Sequence, residues 1–356
     1  MSDLMASAFE LVQIASVSRA ESALASRIEA ELRRNPELSV ERIADNVVAR
    51  SEFGRGKRVI LAGHLDTVPP FEDRGPRVVD DVLWGLGAVD MKGGLAVMLD
   101  LAAKLEQMAV DVTFVFYSCE EIERSASGLG QLVRERPQLL TADAAVLAEP
   151  TDCIVEAGCQ GTMRALATVS GRRAHSARPQ AGVNAVHRLW PLLRSLAEYA
   201  PRELLVDGCL YTEQLQGVGI SGGIAGNVVP DRASVTVNYR FAPDRDVASA
   251  EAELRRLLEG ALDEALGDSL EIIDAAPAAP PALEHELLGR LVAATAQAPR
   301  AKVGWTDVAT FFRLGVPAAN FGPGDPLLAH TPDEHVSVAE LTRAREVLRG
   351  FLADAR

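Results

Sequence analysis

Apolar residues recur at three- and four-residue intervals over residues 4–14 and 22–32, which predicts two amphipathic helices. The period then changes. Short β-rich runs at 58–62, 112–117 and 144–147 read as strands, and a helical stretch at 92–105 separates the first two. Strands alternating with helices predict an α/β domain, here a mixed sheet with helices on both faces. After about Gly161 the order differs: 162–170 alternates like a strand, 183–199 reads as a helix, 233–241 (ASVTVNYRF) alternates again and 248–262 is helical. This predicts an inserted α+β unit, a small sheet covered on one face by two helices. The Ala/Pro-rich stretch 275–282 marks a boundary. A helix at 286–295, another at TDVATFF, a strand at 318–321 and a helix at 338–352 restore the first pattern. The expected organisation is a discontinuous catalytic domain, 1–161 and 276–356, interrupted by a lid at 162–275.

Composition narrows the class of protein. At 356 residues, with 48% hydrophobic and 24% charged residues, the chain has ample material for packed cores and none of the bias of disordered, collagenous or coiled-coil sequences. Thirty-six Lys and Arg against fifty Asp and Glu leave a net charge of -14, which repels nucleic acid and anionic membranes and favours a small-molecule substrate. The start MSDLMASAFELVQIASVS lacks the basic and continuously apolar segments of a signal peptide, and no run of ~18 apolar residues occurs, so a cytoplasmic location is expected. Cys119, Cys153, Cys159 and Cys209 form no CxxC pair and are expected as free, mostly buried thiols.

Candidate chemistry clusters at predicted strand ends. His64 and Asp66 follow the strand RVILAG, and a period of two puts both on one face. A ligating imidazole normally gives its other N–H to a carboxylate, a part open to Asp66, although HxD alone also describes a satisfied surface histidine. Asp90 lies in GLGAVDMKGG; the spacing is not that of a Walker loop, and Asp90 either offers oxygens to metal ions or caps the helix that follows. Glu120 and Glu121 follow the strand VTFVFY. Without a cation they are a solvated turn; beside divalent metals, one carboxylate ligates while its neighbour takes a proton from water. Glu149 in AEPTD and His330 in GPGDPLLAHTPDE complete five candidate ligands of mixed imidazole and carboxylate type, suited to zinc, cobalt or manganese. In the insertion, His175, Arg178, Asn227 and Arg240 offer groups for an oxyanion or a carboxylate, or form an exposed basic turn. His187 and His285 read as structural, and His335 as a bystander.

In this order, HLDTVPP, GLGAVDMKGG, YSCEEIE, AEPTD, GRRAHSA and AHTPDEHVS resemble the M20 family of dinuclear metallohydrolases over nearly the whole chain. EAGCQGT, NVVPDRASVTVNYRFAPDRD and GWTDVATFFRLGVPAANFGPGDP are similar to its desuccinylating branch. The resemblance implies that His64 and Glu149 hold one metal, Glu121 and His330 the other, and Asp90 both, with Asp66 orienting His64 and Glu120 as general base. It further implies two zinc ions per subunit, replaceable by cobalt, and a homodimer formed through the lids, in which His175 reaches the partner's active site. Arg178, Asn227, Arg240, Gly304 and Thr306 are implied substrate contacts. Ala88 and Leu86 depart from the small hydroxyl residue and the arginine of many relatives. The implied reaction is hydrolysis of N-succinyl-LL-2,6-diaminopimelate. The alternatives are another M20 amidohydrolase activity (acetylornithine deacetylase, aminoacylase or dipeptidase) and a non-catalytic amino-acid-binding or scaffold protein.

Overall fold

Strands Asp111–Tyr117, Arg58–His64, Ala144–Leu147 and Ala318–Asn320 lie side by side and parallel in a computed structural model that describes residues 2–71 and 75–353. They form the centre of an eight-stranded mixed sheet. Asn46–Ser51 and Leu38–Ile43 extend it antiparallel on one side, and Glu156–Ala157 and Arg300–Ala301 on the other. Every residue of Asp111–Tyr117 is buried, which explains why that strand reads as a mostly apolar, β-rich run rather than an alternation. Arg58–His64 comes first in the chain, its next parallel neighbour joins on one side and the one after on the other. The order of strands therefore reverses beside the carboxyl end of Arg58–His64, where open α/β sheets form their clefts.

Helix Gly93–Ala102 packs on Arg58–His64 and Asp111–Tyr117, and Asp3–Gln13 and Val338–Ala353 pack on that helix. Leu4, Ile28, Leu61, Leu95, Phe114 and Leu348 belong to one shared core.

The contacts divide the chain into two compact units: Met1–Gly158, Pro281–Arg300 and Thr310–Arg356 form the first, and Cys159–Pro280 with Ala301–Ala309 the second. The second has its own core and an antiparallel sheet in the order Gln214–Gly222, Arg232–Phe241, Gly161–Ser170, Ser269–Ala276. Strand Arg232–Phe241 buries Ala233, Val235, Val237 and Tyr239 in strict alternation. The helix expected at 183–199 is two, Ala185–Arg188 and Trp190–Ala197, because Pro191 has no N–H to continue the first into the second. The helix expected at 248–262 is Val247–Leu257, started by Asp246, whose carboxylate accepts from the Ser249 amide at 2.8 Å. All four cysteines are free and buried, and among the described residues no helix is long and apolar enough to cross a membrane.

Candidate metal centre

Three neighbouring parallel strands deliver most of the site at their carboxyl ends: His64 ends Arg58–His64, Glu120 and Glu121 follow Asp111–Tyr117, and Glu149 follows Ala144–Leu147. Pairing of His64 with Tyr117 puts the histidine beside the Ser118–Glu121 turn, which is bent by a left-handed Cys119 at φ 57°. Asp90 arrives separately, in the single wide turn Ala88–Lys92 that leads into Gly93–Ala102. Gly94 permits that approach, because a Cβ there would lie 2.3 Å from the Ala148 carbonyl oxygen, next to Glu149. His330 is held at φ 60°, a conformation that non-glycine residues adopt mainly where the surroundings impose it.

These routes converge on Asp90. Its Oδ1 lies 3.0 Å from His64 Nε2 and its Oδ2 3.3 Å from His330 Nε2, and His330 Nε2 is 2.8 Å from Glu121 Oε1. One potential ligand atom from each of His64, Asp90 and Glu149 falls within 4.8 Å of the others, and the same is true of Asp90, Glu121 and His330. His64, Glu120 and Glu121 make a third such group. Two groups sharing one carboxylate, built from imidazole nitrogens and carboxylate oxygens, are a donor set for two hard or borderline divalent cations. The residues present fit such a pair.

The electrostatics agree. Burial disfavours the charged form of His64, yet hydrogen bonds to Asp66 and Asp90 outweigh it and push the imidazole well above its usual pKa. Hydrogen bonds to Asp90 and Glu121 likewise raise His330 to about 10. Burial opposes ionisation of Asp90, but both histidines hold it below the usual carboxylate range. In the absence of a cation, protons on the imidazoles balance the carboxylates. A metal takes over that role and needs the imidazoles neutral.

Around the ligands lies a layer of buried carboxylates that grip backbone amides. Asp66 accepts from Glu120 N at 2.9 Å, Glu121 N at 3.1 Å and the Ser18 hydroxyl at 2.8 Å, while its carbonyl oxygen is 3.0 Å from His64 Nδ1. Glu21 accepts from Cys119 N at 3.0 Å, and Glu334 from Val89 N at 2.9 Å and Asp90 N at 3.0 Å. Neither Glu21 nor Glu334 stands out in the sequence, since a lone glutamate far from its partner carries no period or spacing. Buried Lys92 donates to the Ile14 carbonyl at 2.7 Å, and burial lowers it to about 8.

The remaining candidates lie in the second unit, in two places. His175 pairs with Val228 in a two-stranded ladder; Arg178 N donates to the His175 carbonyl at 2.8 Å, and Ser176 N to the Asn227 carbonyl at 2.9 Å, so His175, Arg178 and Asn227 share one exposed corner. Arg240 is half-buried on Arg232–Phe241 opposite Thr162, and burial pushes its guanidinium down. Cys159 interacts with Arg240, and its Sγ lies 3.6 Å from the carbonyl of Thr306, two residues after half-buried Gly304. The Thr306 hydroxyl is buried with no hydrogen-bond partner among the described residues. His335 stacks on Trp84 at 4.2 Å.

Comparison with known proteins gives concordant results. The sequence model of peptidase family M20/M25/M40 matches residues 60–354. A Mycobacterium tuberculosis protein, provisionally named succinyl-diaminopimelate desuccinylase DapE, is 49% identical over 343 residues, 96% of each chain. The Corynebacterium glutamicum succinyl-diaminopimelate desuccinylase is 42% identical over 350 residues, 97% of this chain and 94% of that one. Among solved structures, an M20 family metallo-carboxypeptidase from Sulfolobus solfataricus superimposes with a TM-score of 0.82 over 99% of both chains at 16% identity.

Proposed function

The chain belongs to peptidase family M20/M25/M40, and on that premise we propose that it hydrolyses N-succinyl-LL-2,6-diaminopimelate to succinate and LL-2,6-diaminopimelate. The observation that carries the reading is Asp90, whose two oxygens face different histidines within two overlapping ligand groups. His64 and Glu149 would hold one zinc ion and Glu121 and His330 the other, with Asp90 shared between the two groups; cobalt would serve in place of zinc. Such a pair supplies Lewis acidity, polarising a carbonyl and lowering the pKa of water from ~15.7 toward ~7.

The protein's own groups do the rest. The Asp66 carbonyl accepts a hydrogen bond from Nδ1–H of His64, which leaves the Nε2 lone pair for ligation, and through two amides its carboxylate fixes the turn carrying Glu120. Glu120 accepts the proton of the attacking water and passes it to the departing amine. Ala177 N donates to His175 Nδ1 at 3.1 Å, so in the neutral ring Nε2 carries the proton and can donate to the developing oxyanion. Arg178, Asn227, Arg240, Gly304 and Thr306 grip the succinyl and amino-acid carboxylates. The Thr306 hydroxyl, without a hydrogen-bond partner among the described residues, and the desolvated Arg240 guanidinium support this, and they let an acidic protein take an acidic substrate.

His175 serves the active site of a second subunit in a homodimer. Strand Gln214–Gly222 is an edge of its sheet, and Val218 and Ile220 on it are 59% and 65% exposed. An apolar edge of that kind calls for a partner. The primary test is the hydrolysis rate, with zinc supplied, on N-succinyl-LL-2,6-diaminopimelate beside N-acetylornithine and a simple dipeptide. At least tenfold preference for the succinylated substrate is expected; turnover of another amide alone would overturn the substrate assignment while keeping the metal centre.

A further inference from the structure

Glu334 is buried, 3% exposed, outside the groups of candidate ligands. Its Oε1 accepts from two successive amides, Val89 N at 2.9 Å and Asp90 N at 3.0 Å, and the Gly87 amide also donates to this side chain. The main chain adds another tie, because Gly85 N donates to the Glu334 carbonyl at 3.1 Å. One residue thus fastens the Gly85–Asp90 segment at both ends. A turn of this glycine content would otherwise sample many conformations.

Glu334 also stands four residues after His330, and its own amide donates to the Thr331 carbonyl at 3.3 Å. It therefore joins the loop bearing the shared carboxylate to the loop bearing one imidazole. These two loops come from opposite ends of the sequence, and the 3.3 Å spacing of Asp90 Oδ2 and His330 Nε2 depends on how they are held together. We propose that Glu334 is a positioning residue that sets the separation of Asp90 and His330 and so tunes affinity for the second metal. It contacts neither metal nor substrate; it acts through the Asp90 amide. The proposal rests on the reading of Asp90 and His330 as ligands.

The test is zinc affinity, measured by competition with a chromophoric chelator on the full-length protein, for wild type, Glu334→Ala, Glu334→Asp and Glu334→Gln, each with its folding checked by circular dichroism. Wild type binding fewer than two zinc ions would defeat the two-metal reading itself, before any variant is considered. Given two, Glu334→Ala is expected to weaken the second ion by about 10–100-fold, the range typical of lost outer contacts. Glu334→Asp, which keeps the charge and most of the bulk but shortens the reach, is expected to behave likewise, and it carries the test if the alanine variant does not fold. Glu334→Gln retains an acceptor oxygen for the two amides and is expected within about threefold of wild type.

A second readout separates positioning from general support. The zinc-induced rise in melting temperature should shrink in the Ala and Asp variants by more than the melting temperature of the metal-free protein falls. Wild-type zinc affinity in a folded Ala or Asp variant overturns the proposal, and so does a Gln variant as impaired as Ala.

Discussion

Both units hold carboxylates out of water, but the candidate centre of the first and the core pairs of the second meet them with different cations. In the second unit Asp268, its side chain 1% exposed, receives Arg188 through two bonds at 2.9 and 2.7 Å, and Glu213 receives Arg202 at 2.8 Å and Arg245 at 2.9 Å. In the first, Asp90 and Glu121 face imidazoles. A guanidinium is permanently charged and uses its fork of donors on the carboxylate, which closes the site. An imidazole can give up its proton and offer a lone pair, which leaves the site open to exchange a proton for a metal ion. The same residue types therefore build a fixed joint in one unit and a receptive centre in the other.

The sharpest way to break this contrast is to remove the base. Glu120→Gln is expected to lower kcat on the order of 10⁴-fold while two zinc ions per chain remain bound, read from steady-state rates and metal analysis. Next come paired deletions. Arg188→Ala strands the buried Asp268 and should cost about 3 kcal/mol of stability by denaturant unfolding with zinc content unchanged. Asp90→Ala should instead act on the metal, dropping zinc below one per chain.

The pH response should separate the units as well. Burial alone would raise Asp268 and Glu213, but amide and guanidinium hydrogen bonds hold both below their ordinary values. Their contribution to stability is complete above the unfolded values of ~4 and is lost as the pH falls through the lower folded ones. In the metal-free protein His330 is shifted the other way, so its contribution is complete below ~6.5 and fades as the pH rises toward about 10. Metal-free protein is thus expected to weaken on the alkaline side as well as the acid side, and zinc uptake near pH 7.5 to release protons measurable in weak buffer. The smallest effect should be Arg178→Ala, raising KM for the succinylated substrate about tenfold with kcat nearly unchanged, the loss of one charged hydrogen-bonding partner.

The sequence disclosed these features unevenly, for physical reasons. Strands 58–62, 112–117 and 144–147 were visible because burial on both faces leaves mostly apolar residues there, and His64, Glu120, Glu121 and Glu149 stood out because they lie at or just after the ends of those strands. Gln214–Gly222 was not, since QLQGVGISG is glycine-rich and exposed at a sheet edge, and neither was Ser269–Ala276, whose end merges with the Ala/Pro-rich boundary. The hairpin Leu38–Ile43 and Asn46–Ser51 also lacked a clear period. In the site, Glu21 and Glu334 escaped notice because amides, which have no sequence signature, are what they bind.

The chain order of the ligands has a consequence for synthesis. His64, Asp90 and Glu149, together with strands Arg58–His64 and Ala144–Leu147, all precede the second unit, whereas His330 is made only after it. At roughly 5–20 residues per second, the first trio leaves the ribosome about nine seconds or more before the second can be completed. A nascent chain thus holds one complete group of candidate ligands while the other still lacks its imidazole, and the last stretch of translation supplies it.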